Sequence, residues 1–480
     1  MRPPFRRRRA AGAHVHEKRG AGVPNWVGSR EYFPTFPCPQ FDMNNRIALS
    51  QLPQTTLFRK GDVFVLFGEL FGRGYASGLV NEARQAGLEI VGITVGRRDE
   101  NNALRPLNDE ELATAEAGLG GRIINVPLMA GFDLDAPAGE PTPTDLLNKI
   151  TLKTWEQDTL DWAHIDKCRA LGTRRFRAAV AEAMAVLDGM IGEDRNVLFA
   201  HTMAGGIPKA KVFMVIANRI YKGSGDRFMS SRTLLDSDLG KLILQNFDEV
   251  SANTFQHLIE GSAAIRARVE TSGGQVRFTA YGYHGTGILI DDRYQWQTYT
   301  NYTQGYAKMR LERIAEAAWA QGIKATVYNC PEIRTNSTDV FAGVELPLIS
   351  LLYTLKKEGG GAWAESQWQA CRERLAEGFS LEDVLHKIDA FQGSEVMRAF
   401  RDFAAWPMPN SPAQAELQIR TSDEIVQMHK DRKALITDLL SGLVLEASGA
   451  LIFRESSAPS GPVLWLNHDI VARQLNQLHA

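Results

Sequence analysis

Apolar residues follow two periodicities along this chain. Short unbroken runs, such as Val-Phe-Val-Leu-Phe at 63–67 and a second at 89–95, alternate with longer stretches in which apolar positions recur every three or four residues. An unbroken run closed by glycine predicts a strand buried on both faces, and the longer period predicts helices packed over such strands. Between the first two runs Leu79, Ala83 and Ala86 share a helical stripe, and Gly87 stands where a helix end favours a left-handed residue. The opening unit is therefore strand, glycine turn, helix, strand. Further strands are predicted at 123–126, 195–200, 275–283, 325–328 and 463–466, with another candidate at 450–453. Helices are predicted at 109–117, 173–191, 211–221, 232–247, 252–269, 305–318, 362–375, 381–391, 394–405, 423–440 and 470–478. Residues 129–171 read as an insertion that turns amphipathic near 154–168. Strands alternating with helices predict an α/β fold, a Rossmann-like doubly wound parallel sheet with helical insertions and a C-terminal helical lid.

No repeat or low-complexity tract divides 43–480, which we expect to form one large domain. Residues 1–42 carry a basic block at 6–9 and recurrent Pro and Gly, without the apolar core of a secretory signal. They read as a disordered tail, as a transit peptide, or as sequence ahead of a start at Met43. The remaining composition narrows the classes of partner. A formal net charge of −2 makes no electrostatic case for nucleic acid or an anionic membrane. Cys38, Cys168, Cys330 and Cys371 lie far apart, against a disulfide framework or a structural zinc site. No apolar run reaches the roughly 18 residues that span a bilayer, so no membrane span is expected and the cytoplasm is the simplest compartment.

Candidate chemistry begins at the glycine turn, Gly68-x3-Gly72-Arg73-Gly74. Glycines allow a tight turn and close approach of a ligand, and the free N–H groups of the following helix favour a phosphate. A dinucleotide pyrophosphate is the ligand this arrangement suits, although a glycine turn can also be purely structural. The second strand runs into Arg97-Arg98-Asp99. Arginine at that tip accommodates a ribose 2′-phosphate and a carboxylate binds the free 2′-hydroxyl. Two arginines favour NADP(H), with NAD(H) left open through Asp99. His201, after the fourth strand, either approaches the cofactor or is structural.

Tyrosines cluster around the fifth strand and the helix after it. Tyr281-Gly-Tyr283-His284-Gly285 closes the strand, and Tyr299-Thr-Asn-Tyr302-Thr-Gln304-Gly-Tyr306-Ala-Lys308 opens the helix. Pro331 and Thr335 follow the sixth strand. Together with the glycine turn, this arrangement resembles the short-chain dehydrogenase/reductase superfamily. The usual Y-x3-K pair would need tyrosine at 304, where Gln304 stands, and Y-x6-K would need it at 301, where Asn301 stands. Tyr299 and Lys308 make a Y-x8-K pair, the spacing of FabV-type enoyl-acyl-carrier-protein reductases and related trans-2-enoyl-CoA reductases. The segments 281–285 and 344–359 also resemble that family, and the chain looks close to its FabMG branch. It departs from the pattern in a longer 283–299 loop and in an N-terminal half that matches only at the glycines.

The resemblance implies reduction of an α,β-unsaturated acyl thioester, carried by acyl carrier protein or coenzyme A, with hydride from a nicotinamide dinucleotide. On that reading Tyr299 donates to the developing enolate oxygen, Tyr283 helps to bind that oxygen, and Lys308 holds the nicotinamide ribose. Gly68, Gly72, Arg73, Gly74, Arg97, Arg98 and Thr335 join Lys308 around the cofactor. A phenol can serve as the donor, and a nearby ammonium would lower its pKa. Nine residues of continuous helix would set Tyr299 and Lys308 on opposite sides, so Tyr299 belongs to the loop and the helix begins near 303–305. Tyr302 and Tyr306 remain rivals. A ketoreductase and a non-catalytic nucleotide-binding protein are the alternative functions.

Overall fold

Eight strands form one wholly parallel sheet in the computed structural model, which describes residues 46–68, 74–100, 102–297, 303–335 and 340–480. In chain order the strands are β1 (Arg46–Ala48), β2 (Val63–Phe67), β3 (Glu89–Ile93), β4 (Arg97–Arg98), β5 (Leu104–Arg105), β6 (Arg122–Ile124), β7 (Val197–His201), β8 (Val276–Gly282), β9 (Thr286–Ile290), β10 (Arg293–Gln297), β11 (Ala325–Asn329) and β12 (Val463–Trp465). The large sheet runs β1-β12-β11-β8-β7-β2-β3-β6, while β4 with β5 and β9 with β10 make two antiparallel ribbons. After β1 at one edge the chain enters near the middle at β2, winds to the other edge through β3 and β6, and returns at β7 to wind back toward β1. This is the Rossmann-like doubly wound order expected from the sequence. Its reversal between β2 and β7 opens a crevice at the carboxyl ends of the strands.

The unbroken apolar strands have a simple cause. Phe64 and Leu66 of β2 pack on one face with Leu79, Ala83 and Leu451, whereas Val63, Val65 and Phe67 pack on the other with Phe176, Val180 and Phe255. With helices on both faces, every position of a central strand is interior. The Ala76–Gln85 helix then crosses the Ile436–Glu455 helix backbone to backbone, because Gly78 and Gly449 face each other.

Several predicted elements differ. The candidate strand at 450–453 and the helix at 423–440 are replaced by helices Pro412–Gln427 and Ile436–Glu455. The second of these is interior on nearly all sides, so its apolar residues show no 3.6-residue stripe, and a run such as 450–453 imitates a strand. It is also long and apolar enough to cross a membrane, but 67% of its most apolar window is buried within the protein. The predicted break before 173 is absent: Trp162–Asp188 is a single helix of 27 residues. Gly172 lies inside it because a Cβ there would sit 2.8 Å from the Gly131 carbonyl. The predicted helices at 232–247 and 252–269 each divide in two, and 394–405 becomes one helical turn followed by two 3₁₀ turns. The long 283–299 loop holds the β9–β10 hairpin, turned by Asp291 and Asp292 at φ 49° and 60°. A two-residue turn with both φ positive matches the twist of the strands it joins. The chain from Asp42 to Ala480 gathers into one compact unit by its internal contacts; the tail at 1–42 lies outside the described residues.

Candidate active site

Lys308 stands in the first turn of the Gly305–Ala320 helix, whose start falls where the tyrosine–lysine spacing required it. That start is fixed from two sides. Gly305 lies under Trp406 and Pro407, which a Cβ would approach to 2.9 and 3.0 Å. Gln304 donates from Nε2 to the Gly205 carbonyl at 2.8 Å and to Ser251 Oγ at 2.7 Å. The position that carries tyrosine in a Y-x3-K enzyme is therefore occupied by an amide that ties the helix to the loop after β7. The Lys308 side chain is 3% exposed. Its Nζ donates to the Tyr281 carbonyl at 2.8 Å and lies 4.8 Å from the centre of the Tyr283 ring. Burial pushes the ammonium down to about 7.

Tyr283 is held by its neighbours. Gly282 leaves room for Asn329, whose Oδ1 accepts from the His284 N–H at 2.8 Å and whose Nδ2 donates to Glu312 at 3.0 Å. The imidazole of His284 rests between Phe403 and Trp406, with both ring centroids 4.4 Å away, and faces the Glu312 carboxylate at 3.3 Å. Between these anchors Tyr283 meets Tyr75 edge-on at 6.3 Å, and Tyr75 stacks on Tyr281 at 5.7 Å. The Tyr75 hydroxyl donates to the Pro331 carbonyl at 2.7 Å, joining the glycine-turn helix to the loop after β11. Burial, reinforced by Cys330 and Glu332, pushes the Tyr283 phenol up to about 12. The lowering expected of a phenol beside an ammonium is not seen at this residue, which keeps its proton at neutral pH and is available as a hydrogen-bond donor. Glu332 is itself pushed up to about 8, first by burial and then by Glu345.

Tyr299 and Tyr302 lie outside the described residues, between buried Gln297 at the end of β10 and buried Thr303, whose hydroxyl pairs with that of Tyr221. Tyr306 is exposed on the helix. Gly72 and Arg73 also lie outside the described residues. Gly68 has φ 122°, and a Cβ there would stand 2.7 Å from Met203 Sδ, so glycine lets the end of β2 lie against the loop after β7. Among the described residues, a Cβ at Gly74 would meet nothing within 4 Å, no side chain caps the helix that follows, and no acid occupies its first turn. Open ground before an uncapped, acid-free helix start suits an anionic pyrophosphate.

Arg97 and Arg98 form β4, beyond the end of β3. Arg97 Nη1 donates to its neighbour's carbonyl at Gly96, 2.9 Å away. Arg98 donates to the Asn102 carbonyl at 2.6 Å and is half-buried near Arg175, Asp135 and Asp133, with burial lowering its pKa. Thr335 follows Arg334, which is fastened to Ser441 and Asp438. His201 is structural. Thr254 Oγ1 donates to Val250 and so accepts from His201 Nε2 at 2.8 Å, while burial holds the imidazole well below its usual range. No cluster of three or more metal-ligating side chains occurs among the described residues. Lys308, Tyr283, Gly68 and the Pro331–Thr335 loop therefore gather at the carboxyl ends of β2, β7, β8 and β11, with Arg97 and Arg98 to one side. Tyr75, Gln304, Asn329 and Glu332 were not legible as site residues. Only Gln304 carried a signal, since it filled the position expected for tyrosine.

The family model described as enoyl-acyl carrier protein reductase FabMG matches residues 45–475. A ligand-free structure of FabMG, described as a novel type of enoyl-acyl carrier protein reductase, is 73% identical with a TM-score of 0.88, covering 90% of this chain and 99% of that one. An NADH-bound structure of FabMG is 61% identical with a TM-score of 0.75 over the same shares, 90% and 99%. No curated protein matches the chain.

Proposed function

The chain belongs to the FabMG family of enoyl-acyl carrier protein reductases, and from that premise we propose how its residues divide the work. Reducing the double bond of a trans-2-enoyl thioester places a hydride on C3, leaves negative charge on the thioester oxygen as an enolate, and ends with a proton on C2. A bound nicotinamide dinucleotide supplies the hydride. Around it, the turn from Gly68 through Gly72 and Arg73 to Gly74 receives the pyrophosphate, and Lys308 with Thr335 holds the nicotinamide end. Tyr299 donates to the thioester oxygen, and Tyr283 orients that oxygen from beneath Lys308. The observation that carries this reading is the buried Lys308 ammonium over the Tyr283 ring. A donor kept protonated in a water-poor site stabilises charge that develops only during reaction.

The reduced nucleotide is NADH. The expected preference for NADP(H) rested on Arg97 and Arg98, and both guanidinium groups donate to carbonyls of their own loop. A 61% identical relative binds NADH. The acyl carrier is acyl carrier protein, and the compartment is the cytoplasm, where fatty acid synthesis keeps its soluble carriers. The ketoreductase alternative loses its residue basis, because Gln304 fills the place of the Y-x3-K tyrosine. The test is oxidation of NADH and of NADPH, followed by nicotinamide absorbance, with a crotonyl thioester. We expect NADH to be consumed with the higher kcat/KM; the reverse order would return the arginines to a 2′-phosphate.

A further inference from the structure

A cleft of about 620 Å³ opens beside the site, between the end of the Lys211–Lys222 helix, the loop after β11 and the Pro412–Gln427 helix. Its charged lining is Lys222, Arg227, Arg334 and Arg432 against Glu345 and Asp423. A ring contact and a set of neighbouring carboxyls run from it toward the site. Phe341 of its wall packs on Tyr221 at 4.6 Å, and the Tyr221 hydroxyl pairs with Thr303, the first described residue after the segment bearing Tyr299. From its floor Glu345 bears electrostatically on Glu332, which in turn bears on Tyr283. Glu345 is 7% exposed and burial raises its pKa; its carboxyl is hydrogen-bonded to Ser422 of the same lining, and Oε1 is left without a partner. A buried carboxyl oxygen without a partner costs on the order of 1–3 kcal/mol, which a ligand N–H or O–H would recover.

A ligand matched to this cleft carries an anion for the cationic rim and a hydrogen-bond donor for the floor. We propose that it receives the phosphopantetheine arm of the substrate, the chemistry that acyl carrier protein and coenzyme A thioesters share. The phosphate lies against Lys222, Arg227 and Arg432, and an amide N–H or hydroxyl of the arm donates to Glu345 Oε1. Phosphate is bound most strongly by such charge-assisted hydrogen bonds. The assignment rests on the reductase reading above and adds the point at which the carrier is gripped.

The test compares crotonyl-coenzyme A, crotonyl-acyl carrier protein and the crotonyl thioester of N-acetylcysteamine, which lacks the phosphate. Two variants are used, Lys222→Gln with Arg432→Gln, and Arg227→Glu alone, since Arg227 also donates to Asn218. We expect kcat/KM to fall at least roughly tenfold with both phosphate-bearing thioesters, the effect of losing one charge-assisted contact and a lower bound where two are removed, and to stay within about twofold for the truncated one. An equal fall on all three, or on none, overturns the assignment. A loss confined to the carrier protein would refer the charges to its surface, and a loss confined to coenzyme A would refer them to its nucleotide; either also overturns it. Failure of the wild-type protein to reduce any of the three would instead remove the reductase reading, and the subsite with it.

Discussion

Replacing Lys308 by methionine should make the ligand-free protein more stable while disabling it. The ammonium is held at about 7 by burial, against an ordinary 10.5. At about 1.4 kcal/mol per pH unit, that gap means that burying the charge costs roughly 4–5 kcal/mol at pH 7. Methionine has a similar length and carries no charge, but it leaves the Tyr281 carbonyl without its donor, a loss of roughly 1 kcal/mol. The net gain is roughly 3 kcal/mol at pH 7. Its pH dependence is the sharper signature. Between about 7 and 10.5 the unfolded lysine keeps a proton that the folded one has released, so wild-type stability rises with pH over that window. The advantage of Lys308→Met should therefore shrink to roughly 1 kcal/mol by pH 9. Urea unfolding followed by tryptophan fluorescence, wild type against variant at pH 7, 8 and 9, reads this directly. A difference that stays constant across the series would show that Lys308 is not a buried amine near neutrality, and the reasoning about the site would fail with it.

Tyr299→Phe is expected to lower turnover at least tenfold, about 1.4 kcal/mol of transition-state stabilisation, with an unchanged melting temperature. Near-normal kinetics with a crotonyl thioester would move the donor role to Tyr302 or Tyr283. Gly78→Ala would drive a methyl into the Leu445 carbonyl, where the two helix backbones touch. We expect a loss of about 1–3 kcal/mol in a chemical denaturation series, the usual cost of overpacking, and no loss would mean that these helices separate easily.

What the sequence made legible follows from which forces act locally. Strands such as β2 and β7 are covered by helices on both faces, so their unbroken apolar runs announce them without any knowledge of the fold. Gly87 likewise announces the end of the first helix, and it adopts φ 75°. The Ile436–Glu455 helix failed for the opposite reason: a helix interior on nearly every side has no polar stripe to set its period. Gly172 misled because glycine reads as a breaker, whereas here it admits the backbone of Gly131 against the middle of a helix. The β9–β10 hairpin stayed hidden because its turn uses Asp-Asp instead of a glycine pair.

Within the site, the residues the sequence proposed came from spacing and resemblance, Lys308 and Tyr283 among them, and the structure sets these two side by side. The residues missed act through tertiary contact. Asn329 fixes His284 across two strands, Tyr75 reaches Pro331 across more than two hundred residues, and Glu332 acquires its character from burial and from Glu345. No local pattern encodes such partners, since each depends on where the sheet topology brings distant loops together. The doubled arginine fitted a 2′-phosphate by identity alone; in the β4–β5 ribbon Arg97 donates to the Gly96 carbonyl and Arg98 to the Asn102 carbonyl, contacts that residue type does not encode.

Burial is the largest influence on the protonation of every member of the cluster, and it acts toward neutrality. It lowers Lys308 to about 7 while raising Glu332 to about 8 and Tyr283 to about 12. Near neutral pH the ligand-free cleft therefore carries little charge of its own. An anionic dinucleotide entering it favours the protonated lysine, because an opposite charge within a few ångströms raises an amine's pKa. Binding should then be accompanied by proton uptake at Lys308. Below about pH 7 the proton is already present and affinity should be flat; above it, affinity should fall by up to about tenfold per pH unit. Ionisation of Glu332 above about 8 adds repulsion in the same direction. Fluorescence titration of NADH into wild-type protein from pH 6 to 9 should show that slope, and Lys308→Met should bind more weakly and lose the part of the slope that lies between about 7 and 8. A wild-type affinity that does not change over this range would mean that the nucleotide's charge is not felt at Lys308, and the cofactor would then have to lie elsewhere in the crevice.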